Sequence, residues 1–64
     1  MNTKIEAIEF LEKQIMFIWR GVISYEEQIH PGMKEEDRKM IQDIIDMSIA
    51  DAKMYETILN LLHQ

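Results

Sequence analysis

One break in an otherwise continuous helical pattern limits what this chain can fold into. His30-Pro31-Gly32 holds the only proline and one of the two glycines in 64 residues. Proline disfavours helical geometry at the residue before it, and Pro-Gly punctuates a turn. On the N-terminal side Ile8, Leu11, Ile15, Ile18, Val22, Tyr25 and Ile29 alternate three and four apart. That is the spacing of one helical face, sustained over three heptads. On the C-terminal side Ile41, Ile44, Ser48, Asp51, Tyr55, Ile58 and Leu62 follow the same series, and Ile45, Ala52 and Leu59 widen it. The pattern predicts an all-α chain: a helix over 3–30, a turn at 31–33 and a helix over 34–63. Helices of this length are about 42 Å long, and a short turn makes them antiparallel neighbours in a single helical-hairpin domain spanning 1–64.

Local signals mark the ends. Thr3-Lys4-Ile5-Glu6 fits a capping box, with the Thr3 hydroxyl and the Glu6 carboxylate each accepting from the other's backbone amide. Glu35, Glu36 and Asp37 fall in the first turn of the second helix, where carboxylates favour the positive end of the helix dipole. Gly21 lies inside the first helix, costs about 1 kcal/mol against alanine, and is expected to have a packing reason.

The apolar surface exceeds what one hairpin needs. Met16, Trp19 and Ile23 extend the first helix's stripe, and Phe10 and Phe17 stand on its otherwise polar back. Met40, Met47, Met54 and Leu61 repeat every seven residues on the second helix. Below about 70–80 residues one core rarely supplies enough stability without disulfides, metal or oligomerisation, and this chain has no cysteine. The expected remedy is self-association: a homodimer forming a four-helix bundle, with a tetramer using Phe10 and Phe17 at a second contact. Phe10, Phe17, Trp19, Ile23, Met40, Met47, Met54 and Leu61 are the expected interface residues. Trp19 is expected to fill the core beside Ile45, at whose level a turn at 31–32 places it.

Polar residues that interrupt the stripes are the candidate sites. Asp51 stands within the apolar series of the second helix, and the same levelling puts it near Glu12 and Lys13. Asp51, Ser48 and Glu12 are therefore expected to form a buried polar layer that fixes register, with Asp51 paired to Lys13 or Arg20 of the same or another subunit, or else a carboxylate layer that holds a divalent cation; otherwise the layer opens to solvent or accepts a basic group from a partner. Glu27-Gln28-Ile29-His30 has the Glu-x-x-His spacing of di-iron bundles, whose ligands project inward from one helical face. Here the motif abuts Pro31, Glu27 falls on the polar side, and the second helix has no matching copy.

Charge narrows the function classes. Seven basic and 12 acidic residues give a net charge of −5. That balance argues against a nucleic-acid binder and against a basic helix on an anionic membrane. No targeting segment is visible, and a cytoplasmic location is the default expectation. Ser24 and Ser48 have no histidine at helical spacing, and no glycine-rich phosphate loop is present. Glu35, Glu36, Asp37, Asp43 and Asp46 read as a solvated acidic face, or as a surface for a basic site on a partner. The leading expectation is a small acidic non-enzymatic interaction module without a cofactor, a regulator or inhibitor that presents helix faces to a protein target. The alternatives are a metal- or small-ligand-binding bundle using Glu12 and Asp51, and a purely structural assembly unit.

Overall fold

The computed structural model describes residues 2–64 as two helices, α1 (Thr3–Gln28) and α2 (Glu35–His63), packed on each other as a hairpin measuring 51 × 15 × 12 Å. The all-helical class and the hairpin expected from the periodicity are present.

The helix ends differ from expectation for local reasons. Asn2, not Thr3, caps α1: its side-chain oxygen accepts from the amides of Lys4 and Ile5 at 3.1 and 3.2 Å. Asparagine is among the strongest N-caps, and with the cap one residue earlier Thr3 becomes the first helical residue, so the Thr3–Glu6 box does not form. At the other end Ile29 is already extended, with φ −78° and ψ 126°. The helix thus stops at Gln28 rather than at residue 30: Pro31 restricts His30, and Ile29 before it is extended as well. The connection therefore runs over 29–34 instead of 31–33, closed by a hydrogen bond from the Met33 amide to the His30 carbonyl at 3.1 Å. Gly32 does not use the left-handed region. Lys34 precedes α2 without a side-chain cap, and Glu35, Glu36 and Asp37 occupy its first turn as the sequence predicts.

Leu11, Val22, Ile45 and Ala52 are the buried core. Ile8, Ile15, Ile18, Tyr25 and Ile29 flank it, half-buried, so the whole α1 series faces α2. The α2 series is corrected. Ile41, Ser48, Tyr55 and Leu62 repeat every seven residues, and a seam can be completed at three or at four residues beyond each. The first choice takes Ile44, Asp51 and Ile58, and the second takes Ile45, Ala52 and Leu59. The chain uses the second: Ile45 and Ala52 are 2% and 0% exposed, whereas Asp51 and Ile58 are exposed. Burying a carboxylate without a partner is costly, and a rotation of about 100° puts a methyl group there instead.

Gly21 has no neighbour within 4 Å of where a Cβ would stand, so within the chain it has no packing reason. Gly21→Ala is expected to raise stability by about 0.5–1 kcal/mol through helix propensity, read as a higher midpoint in thermal denaturation followed by circular dichroism.

Candidate functional site

The residues left outside the seam are candidates for function, and one long-range contact relates them. The Trp19 indole nitrogen donates to Glu56 Oε1 at 3.2 Å. Glu56 is about three turns further along α2 than Ile45, the expected neighbour of Trp19. Side chains lean toward the N-terminus of their own helix. In an antiparallel pair Trp19 therefore leans toward the open end of the hairpin while Glu56 leans back toward the turn, and the two converge. Trp19 is consequently half-buried at the edge of the seam rather than enclosed in it. Glu56→Ala is expected to cost about 0.5–1.5 kcal/mol, the net worth of a hydrogen bond, and to change the fluorescence of Trp19.

That contact shows which sides of the two helices share a broad face. Trp19 lies to one side of the α1 seam and Glu56 to one side of the α2 seam, so these sides coincide. Each residue advances about 100° around the helix. On that basis Ile5, Met16 and Ile23 accompany Trp19, opposite the largely polar flank of Gln42, Lys53 and Glu56 on α2. Phe10 and Phe17 lie about 110–130° round the other way. Met40, Met47, Met54 and Ile58 lie about 100–140° from the α2 seam on the side away from Glu56, with Leu61 beyond them. The phenylalanines and the methionine row, separate features of the sequence, thus form one face.

Both faces are open. Ten large apolar side chains are exposed among the described residues, against four buried apolar residues. Phe17 is 75% and Met47 69% exposed. A monomeric soluble protein rarely leaves contiguous apolar patches of this kind uncovered.

The candidate polar sites are not assembled by this chain. Glu12 lies on the Trp19 side and Asp51 on the methionine side, both exposed, so they share no layer and are not buried. Ser48 is half-buried on the seam. Their expected grouping followed from the wrong α2 seam and from levelling by chain number. No polar or charged residue is buried among the described residues, and no three of their acidic or histidine side chains converge as a metal site would require. Glu27 and His30 are exposed, and α1 ends between them, so they do not project from one helical face. The described residues form no pocket, and no helix is long and apolar enough to cross a membrane.

Charge reaches both faces: Glu12, Lys53 and Glu56 lie on the Trp19 side and Asp51 on the other. Arg38 and Glu35 form an ion pair at 3.6 Å near the turn, and the Arg38 Nε is shielded without an acceptor. Gln42 donates to Asp46 at 3.0 Å along the outer surface of α2. Asp51 stands inside the Phe–Met face, between Ile44 and Ile58 and beside Met47 and Met54. The sequence shows each stripe; which stripes share a face follows from the two seams and the antiparallel direction, and the Trp19–Glu56 contact agrees with it.

Comparison with protein families, with curated proteins and with solved structures finds no match for this chain.

Proposed function

We propose that this chain is a small acidic interaction module, without catalytic activity, that works through its helix faces as a homo-oligomer and regulates or inhibits a protein target. The observation that carries the reading is the disproportion between four buried apolar residues and ten large exposed ones. A core this small leaves the hairpin marginal, and covering the exposed faces is what makes a chain of this length stable. Methionine-rich surfaces suit this role because the unbranched thioether repacks against differently shaped partners. The net charge of −5 keeps such a surface in solution and favours a target with a basic rim.

Thermal denaturation across a hundredfold range of concentration tests the oligomer half of the proposal. The midpoint is expected to rise with concentration, because association stabilises only the folded state. Affinity capture with the wild type and with the Met16→Glu/Ile23→Glu double variant as baits tests the target half. A true target is recovered by the first and lost by the second. A concentration-independent midpoint together with identical recoveries contradicts the proposal. A rising midpoint with no target recovered leaves a purely structural assembly unit.

A further inference from the structure

The broad face carrying Phe10, Phe17, Met47 and Met54 differs from its opposite in kind. It exposes large apolar side chains on both helices, whereas the Trp19 face exposes them on α1 alone, with only the half-buried Ile49 among the polar residues of its α2 side. A face with large apolar side chains on both helices can be covered by a copy of itself through a two-fold axis, the commonest arrangement of soluble oligomers. The amount of surface agrees. The hairpin exposes 5192 Å², while a compact monomer of 7.7 kDa is expected to expose about 4,300 Å². The elongated hairpin thus leaves roughly 900 Å² more surface open than a compact chain of its mass, enough to supply the ~800 Å² per partner of a stable protein–protein interface.

We infer that the Phe–Met face is the self-association surface, occupied by the same face of a second copy, and that the Ile5–Met16–Ile23 strip stays open for a target. The inference rests on the interaction-module reading and assigns its two halves to two surfaces. Asp51 is then the one charged residue in the middle of the contact. It is solvated in the single hairpin and loses water when a second copy covers it, so it limits the affinity of the dimer. This gives Asp51 a physical consequence that its place outside the α2 seam leaves open.

Sedimentation equilibrium on the full chain and single-site variants, with circular dichroism to confirm helicity, tests the assignment. The wild type is expected to sediment as a dimer at micromolar concentration. Phe17→Glu and Met47→Glu are each expected to weaken the dimer at least a hundredfold, and Met16→Glu and Ile23→Glu to leave it within about threefold. Asp51→Leu is expected to tighten it at least tenfold. That gain does not depend on a disrupted variant remaining folded. A dimer broken by Met16→Glu and Ile23→Glu but not by Phe17→Glu and Met47→Glu overturns the assignment and leaves the interaction-module reading standing. A folded wild type that stays monomeric, with Asp51→Leu equally monomeric, overturns the inference and the homo-oligomer part of that reading together, while target capture still tests the remainder.

Discussion

Ala52→Asp is expected to leave the chain largely unfolded at 25 °C, while Asp51→Ala, one residue away, keeps its helicity. Ala52 is 0% exposed at the contact between the two helices. A carboxylate there loses its water, and the residues one turn away on α2, Ser48, Ile49, Tyr55 and Glu56, supply no cation. The effective penalty for burying an unpaired charge is several kcal/mol, comparable with the whole stability of about 3–5 kcal/mol available to a scaffold of this size. Asp51 is exposed, so removing its charge takes nothing from the seam. The far-ultraviolet circular dichroism of the two variants is the measurement. A cooperative, wild-type-like transition in Ala52→Asp would show that the seam runs through Asp51 after all.

The second large effect is expected at Ile45. Ile45→Ala removes a side chain that is 2% exposed, one of the two large side chains buried to that degree. Truncating a buried isoleucine costs about 2–5 kcal/mol, the loss of transfer free energy plus the cavity left behind. The adjacent Ile44 is only half-buried, and Ile44→Ala is expected to cost well under half as much. Urea denaturation of both variants at one protein concentration gives the comparison. Equal losses would mean that α2 presents both residues to α1 alike.

These two variants probe the place where sequence and structure part company. The hairpin was legible because Pro31 is the only strong helix breaker and because Ile8, Leu11, Ile15, Ile18, Val22, Tyr25 and Ile29 keep one face without interruption. In α2 the anchors Ile41, Ser48, Tyr55 and Leu62 fit two seams equally well by spacing alone. The charge on Asp51 and the small size of Ala52 decide between them, and both are readable in the sequence once desolvation is weighed against periodicity. The N-cap was legible in the same way, since Asn2 competes with Thr3 and is the stronger cap. One feature was out of reach: the span from Trp19 to Glu56 along the hairpin, which depends on the lean of the two side chains. The union of Phe10 and Phe17 with the methionine row follows once the α2 seam is right, because right-handed helices running antiparallel bring the same rotational sides of their seams together.

Asp51 changes meaning as a result. Placed on the seam, it is a buried carboxylate in need of a cation or a metal. Placed beside Met47 and Met54 on an open face, it is stable in the lone hairpin and costly only when that face is covered. A charged residue in such a position weakens indiscriminate apolar contact while leaving the paired state accessible.

Small-angle scattering of the wild-type chain over increasing concentration decides whether copies cover one another's exposed faces. Self-association gives a forward-scattering mass near twice 7.7 kDa, falling toward the single-chain value only on dilution. A mass of 7.7 kDa at every concentration, with a radius of gyration near the 15.2 Å of the lone hairpin, would contradict it.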